Sequence, residues 1–445
     1  MTFVDNVDNS ADLLLLRPDD AGYEDELSGF QLGFAQRPAV VVAARSAAEV
    51  AAAVRYAAAR NLPVGVQATG HGMPGSSEGG MLVTTRRMDG ITVDPAARTV
   101  RVQAGVRWGQ VVAAAEPYGL APLNGSAPGV GAVSYTLGGG LGIMAREFGY
   151  TADHVHRLEV VTADGELRQV TRESDPDLYW ALLGAGQNFG IVTELEIALV
   201  PVRTLYGGSL AFDGGVVDPA AVLRAYEAWT RTVPEDLTSS FAAVSYPDLP
   251  ALPPQLRGRY VVSVRVAHTG ADGGELVAPL REIGPVLADS LREMPYAESH
   301  TIHSDPDFPH AYYGDSAVLR ELDVERAGEL LRLTGPEAPA MCVVQVNHLG
   351  GALGRPAPNA VPHREGRFLV RLLTVCEREQ ARAVLDPAFA LLADDTLGRA
   401  LNFAFGAADR SEGLYDPQTR KRLAGLKEQY DPANLFCRNY GVSAC

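Results

Sequence analysis

The feature that most restricts this chain is a stretch almost without side chains, Leu137-Gly-Gly-Gly-Leu-Gly142, preceded by Gly125-Ser-Ala-Pro-Gly-Val-Gly131. Removing side chains at so many neighbouring positions costs conformational entropy on folding. Such a cost makes sense where backbone must lie against a flat ring or a pyrophosphate. Two other segments share this character. In Val66-Gln-Ala-Thr-Gly-His-Gly72, Gly70 and Gly72 permit a tight turn whose successive N–H groups point into one concavity. A nest of that kind holds phosphate without Lys or Arg. Gly184-Ala-Gly-Gln-Asn-Phe-Gly-Ile-Val-Thr-Glu194 opens onto a strand. The run at 137–142 does not match the dinucleotide fingerprint, whose acidic residue follows the glycines by about twenty positions, so a nicotinamide Rossmann site is not indicated.

The surrounding pattern is mixed. A strand at 40–42 is followed by Ser46-Ala-Ala-Glu49, a capping box for a helix that Asn61-Leu-Pro63 stops, and a strand returns at 64–66. Hairpins are expected at 91–93 with 100–102, and at 159–163 with 166–170 around the Asp164-Gly165 turn. A short helix is expected at 108–116, and the alternation over 191–199 reads as a strand of period two. Beyond Pro201, strands at 239–245, 260–267, 341–348 and 368–375 alternate with helices, one of them begun by Asp218-Pro219. A Pro-rich loop falls at 247–254. A helix near 418–429 precedes the turn Tyr430-Asp-Pro-Ala-Asn-Leu-Phe436.

At 445 residues the chain is long for one core, so two domains are expected. Its 38 Lys and Arg stand against 54 Asp and Glu, a net charge of −16 that argues against a nucleic-acid partner. The four cysteines, Cys342, Cys376, Cys437 and Cys445, have no metal-ligand spacing and too few members for a disulfide framework. Met1 to Asp8 carry no Lys or Arg, and Leu13 to Leu16 is too short an apolar run for a secretory signal or a membrane span. A cytoplasmic location without membrane attachment is the simplest expectation.

In their order along the chain these segments resemble the berberine bridge enzyme-like branch of FAD-linked oxidoreductases. That group shares the vanillyl-alcohol-oxidase, or PCMH-type, FAD-binding fold. The resemblance is carried by Gln67-Ala-Thr-Gly-His71, Tyr135-Thr-Leu-Gly-Gly-Gly-Leu-Gly142, Ala185 to Glu194, Pro362-His-Arg364 and Tyr430 to Phe436, and spans about Arg37 to Val442. It implies an α+β fold with a two-part FAD-binding domain, residues 1–203 and 396–445. Residues 204–395 would form a central substrate domain of antiparallel sheet covered by helices. It further implies a bond from His71 to the flavin 8α carbon, sensible chemistry for a neutral imidazole near pH 7. The remaining FAD contacts would come from Gln67, Ala68, Thr69, Gly70, Gly72, Ser126, Val130, Tyr135, Gly138, Gly139, Gly140, Gly142, Asn188, Gly190, Val192 and Asn439.

Two departures matter. Relatives often add a cysteine bond to the flavin ring, but Ala152 stands at that position, so a single covalent link is expected. Gln67 replaces an arginine of the usual motif. On the substrate side the resemblance implies catalytic groups on the strand after Pro362-His-Arg364 and around Asn402. The tyrosine often found two residues before Asn402 is Ala400 here. Arg371 shares a strand face with Leu369 and Leu373, an unusual place for a charge unless that face lines a cavity or the arginine is paired at a sheet edge. Tyr135 is the best remaining phenol. Tyr312 and Tyr313 have no spacing argument and read as packing residues.

The implied activity is transfer of hydride from a small molecule, a sugar or natural product, to FAD, with dioxygen as electron acceptor and small Ala132 leaving it access. An oxygenating flavoenzyme and a non-catalytic flavin-binding protein remain alternatives. His154 with His156 and His300 with His303 lack a third ligand at a recognised spacing, so no metal is expected.

Overall fold

The computed structural model describes residues 13–73, 75, 78–250, 252–406 and 411–442. Met1 to Asp8 and Cys445, on which part of the sequence reading rested, lie outside the described residues.

The first sheet grows from short apolar runs. Val40–Ala43 is buried at every position, as expected of a strand covered on both faces. Ser46 caps the helix Ala47–Ala58, its hydroxyl accepting from the Glu49 N–H at 3.2 Å. The Glu49 carboxylate reaches back to the Arg45 N–H at 2.8 Å, one residue beyond the donor of a standard capping box. Asn61, with φ of 52°, turns the chain into Val64–Gln67. These two strands are not neighbours. Met81–Thr84, absent from the sequence reading, lies parallel to both and between them, and Leu15–Leu16 pairs antiparallel on the outer side of Val40–Ala43. Its four residues are all buried, so no alternation announced it.

The second sheet is antiparallel, in the order Ile91–Asp94, Thr99–Gln103, Ile191–Ala198, Val155–Val161, Leu167–Val170. Both expected hairpins are present. Val155–Val161 starts earlier than expected, which puts His156 on the strand rather than in a loop. Trp108, Leu137, Phe189 and Leu195 fill the core behind this sheet.

The third sheet has nine antiparallel strands. Its path runs Val286–Asp289, Thr204–Asp213, Tyr260–His268, Leu237–Ser245, Cys342–His348, Phe368–Thr374, Tyr313–Leu319, Thr396–Gly398, and Arg292–Pro295 also pairs with Thr204–Asp213. The four strands legible in the sequence form its centre. On the rear face Phe241, Val264, Val346, Val370 and Leu372 pack beneath the helices Pro219–Thr230, Val324–Leu333 and Arg378–Ala390. Strand alternation therefore turns Ser240, Ser263, Arg265, Gln345, Asn347 and Arg371 to the front.

The helix Pro417–Tyr430, capped by Asp416 on the N–H groups of Gln418 and Thr419 (both 2.9 Å), returns to the first two sheets. Lys427 is buried and donates to the carbonyls of Asn188 (2.7 Å) and Phe436 (3.2 Å) and to Asp431 (2.6 Å). The Val64 N–H donates to the Leu435 carbonyl at 2.8 Å. The architecture is α+β, with a large antiparallel sheet and two smaller sheets. Among the described residues no helix is long and apolar enough to cross a membrane.

Candidate active site

His71 sits on the turn that leaves the strand Val64–Gln67. Gly70 has φ of +74°, and a Cβ there would come 2.7 Å from the Gly29 Cα, so glycine is required by both conformation and space. The Phe30 ring stacks on the imidazole, centroids 3.9 Å apart and planes at 15°. Thr69 Oγ1 is 2.8 Å from Nδ1. The other ring nitrogen, Nε2, faces Gly129. Desolvation, with smaller contributions from the positive Arg107 and from His310, lowers the His71 pKa to about 4, so the ring is neutral at pH 7. The Tyr312 hydroxyl accepts the Gly72 N–H at 3.3 Å, and the Tyr312 ring packs edge-on against Phe405. The sequence reading left Tyr312 as a packing residue. It lies 240 positions from its partner, and no local spacing could have placed it. Tyr313 donates to the Gly33 carbonyl at 2.8 Å.

The glycine run leaves the helix Ala132–Leu137. Gly139 and Gly140 have φ of +106° and +78°, and their carbonyls accept the N–H groups of Ala152 and Thr151, both at 2.9 Å. Ala152 is fully packed at this contact. The Asn402 amide donates to the Tyr135 carbonyl at 2.9 Å, and its Oδ1 fills the place a Gly138 Cβ would occupy, only 1.8 Å away. A side chain at 138 would thus expel the brace. Gly142 abuts the Asn124 carbonyl, and Gly190 fits against the Val161 carbonyl with φ of +155°. Glycine is required along this run because protein atoms already fill the space a Cβ would take.

Several other sequence-marked residues serve the scaffold with their side chains. The Gln67 amide donates to the carbonyls of Leu27 and Ser28, and the Asn188 amide to those of Ala185 and Tyr440. Ala68 and Thr69 abut Gly131, the Val130 carbonyl accepts from Trp108, and Val192 is buried on its strand. Asn439 is half-buried beside Tyr440. Arg364 of the Pro-His-Arg segment binds Asp153 at 2.6 Å, and His363 contacts the Gly413 carbonyl.

Tyr135 is buried, edge-on to Trp108 at 5.5 Å, and its hydroxyl has no partner among the described residues. Burial pushes the phenol well above its ordinary pKa, so it stays protonated and can donate a hydrogen bond rather than act as a base. The Trp108 Nε1–H is likewise buried without a partner. Orphaned donors beside a glycine cradle are consistent with a bound group that would complete them.

Between the front face of the large sheet and the segment 141–143 lies a narrow cleft, lined also by Ser126, His303 and Phe403. Arg371 is not at a sheet edge: its strand is flanked by Cys342–His348 and Tyr313–Leu319. Its guanidinium donates to Gln345 Oε1 and lies 4.2 Å from the centroid of the Phe403 ring, while its Nε is buried without a partner. Burial lowers its pKa to about 10, which leaves it charged. Arg265 joins it in the cleft. Ser126 donates to the Asp305 carboxylate. Among the described residues neither Arg265 nor Arg371 has a carboxylate within ion-pair distance. His154 contacts the Phe148 carbonyl and His300 that of Ala297. Among the described residues no group of three His, Cys, Asp or Glu side chains could hold a metal.

Residues 38–171 match the family model described as an FAD binding domain. With the fold, this defines an FAD-linked oxidoreductase. In particular the chain is similar to (R)-6-hydroxynicotine oxidase of Paenarthrobacter nicotinovorans, 28% identical over 450 residues that cover 96% of each chain. The crystal structure of 6-hydroxy-D-nicotine oxidase from Arthrobacter nicotinovorans superposes with a TM-score of 0.83 at 25% identity, covering 98% of both chains. An FAD-dependent monooxygenase of Fusarium proliferatum is 32% identical over 216 residues, 48% of this chain and 42% of its own length.

Proposed function

We propose that this chain is an oxidase that holds FAD through one covalent bond from His71 and oxidises a small molecule in the cleft above the glycine run. The observation that carries the reading is the state of His71: a neutral ring, stacked on Phe30 and held at Nδ1 by Thr69. A ring so held presents a nucleophilic lone pair without first losing a proton. Flavin, when bound, would accept the hydride and pass electrons to dioxygen. The chain's own part is positional. The glycine run and Asn402 would fix the ring plane, Tyr135 would donate a hydrogen bond, and the front face of the sheet would orient the substrate. On this reading residues 1–203 with 396–445 hold FAD, and 204–395 hold substrate. The return of 416–442 onto the first two sheets supports that division. The berberine bridge enzyme-like branch is the placement we favour within the class.

The test is retention of flavin by denatured protein. A yellow peptide containing His71 is expected, and His71→Ala should bind FAD reversibly. Flavin released on denaturing wild-type protein refutes the bond while leaving the FAD site intact. The similarity to a protein named a monooxygenase supports one second reading, oxygenation of substrate. Product formed under labelled dioxygen separates the two: label in the product means oxygenase, label in peroxide alone means oxidase.

A further inference from the structure

The front face of the central sheet carries two guanidiniums that its own carboxylates do not neutralise. Arg265 lies on Tyr260–His268, and Arg371 on Phe368–Thr374, three strands away across Leu237–Ser245 and Cys342–His348. Both line the same cleft, with Ser240 and Asn347 on the intervening strands between them. The one acidic neighbour that influences both is Asp305, which receives the Ser126 hydroxyl. Desolvation raises its carboxyl, but the Arg265 and Arg371 guanidiniums and the Ser126 hydrogen bond hold it below its ordinary range. His303, with Nδ1 buried and unpartnered, is kept neutral by desolvation and by Arg265. Two positive charges against one negative leave the cleft at about +1, in a chain whose net charge is −16. Arg371 Nε and Asn347 Oδ1 are both buried without partners among the described residues.

A guanidinium in a cleft, with a donor pointing at nothing, is a costly arrangement unless something completes it. We infer that the substrate carries an anionic group, a carboxylate in the first instance, which Arg371 and Arg265 bind together. The inference rests on the proposed placement of substrate in this cleft. The planar fork of arginine matches a carboxylate through two parallel N–H donors, and both arginines are half-buried, where such a bond is stronger than on the open surface. Asn347, an uncharged side chain on the same face, can contact the substrate beside the carboxylate. Asp305 would then act against anions, setting affinity low enough for release.

The probes are benzoate and its neutral isostere benzamide, titrated into the purified flavin-bearing protein. Two readouts are followed together: heat of binding by calorimetry, and the perturbation of the visible flavin spectrum. Benzoate should bind at least about tenfold more tightly than benzamide. Arg371→Met and Arg265→Met should each remove about tenfold or more of that preference, and Arg265→Lys should restore part of it. Asp305→Asn should act in the opposite direction and tighten benzoate binding severalfold, a gain that general damage to the fold does not produce. Equal affinity for the two probes, no binding of benzoate to wild-type protein, or variants that leave the preference unchanged each overturn the inference. The two readings separate cleanly. Selective heat without any change in the flavin spectrum upholds the anion site and refutes its placement against the flavin. A flavin-bearing protein without selectivity refutes only the anion.

Discussion

The two faces of the nine-stranded sheet are built from the same strands and differ most beside the cleft. The rear alternates Phe241, Val264, Val346, Val370 and Leu372, all buried under helices. One residue further along each strand, the front presents Ser240, Arg265, Gln345, Asn347 and Arg371. Area removed from water stabilises the rear at about 25 cal/mol per Å². The front gains little of this, and the desolvated guanidinium of Arg371 costs stability. A sheet whose inward-facing residues oppose its own folding on one side is arranged for binding on that side.

The largest effect expected from that contrast is on the rear. Phe241→Ala should lower unfolding free energy by about 3–5 kcal/mol, measured by denaturant titration of the flavin-loaded protein. The mirror experiment on the front should barely move the same quantity. Arg371→Met is expected to change stability by less than about 1 kcal/mol in either direction, because the lost contacts to Gln345 and Phe403 are offset by relief of a desolvated charge. In the same variant, flavin reduction by substrate should slow by about tenfold or more while flavin content is unchanged. A large loss of stability in Arg371→Met would erase the distinction between the faces. Asn402→Ala lies between the two, since it deletes the amide that braces the glycine run against the Tyr135 carbonyl. It should cost about 1–2 kcal/mol and reduce flavin occupancy, read from the ratio of visible to ultraviolet absorbance.

The smallest effect is one of pH. The His71 pKa is lowered from 6.5 to about 4, so the folded apoprotein keeps a neutral ring through the range where a free histidine gains a proton. Between pH 6.5 and 4 the unfolded chain binds more protons than the folded one, so this residue's contribution to stability falls with acidity across that window. For the same reason, flavin attachment during reconstitution with FAD should be nearly flat from pH 8 to about 5 and decline only towards 4. In-gel flavin fluorescence after timed quenching measures it. A midpoint near 6.5 would show His71 to be solvated rather than enclosed.

What the sequence disclosed followed from locality. Ser46 and Asp218 announce helix starts because a cap and its helix are adjacent in the chain. The alternation over 191–199 and the Asp164-Gly165 hairpin are local in the same way. Met81–Thr84 and Tyr313–Leu319 are buried at every position and lack a period, and no capped helix follows Met81–Thr84 as one follows Val40–Ala43. The site divided along the same line. His71 and the glycine run were legible as motifs. Tyr312 over Gly72, Asp305 with Ser126, and the facing of Arg265 towards Arg371 were not, since each joins residues 100 or more positions apart.

The clasp around Lys427 bears on the order of events during synthesis. The first two sheets are made early, yet Asn188 accepts from Lys427 and donates to the Tyr440 carbonyl, and Val64 donates to the Leu435 carbonyl. A ribosome adding about 5–20 residues each second leaves the early segments waiting for those partners for tens of seconds. Over that interval the glycine cradle can collapse onto itself or onto a chaperone, but the frame that fixes its shape is incomplete. Loading of the cofactor is therefore expected to follow release of residues 416–442 from the exit tunnel, as a maturation step of the finished polypeptide.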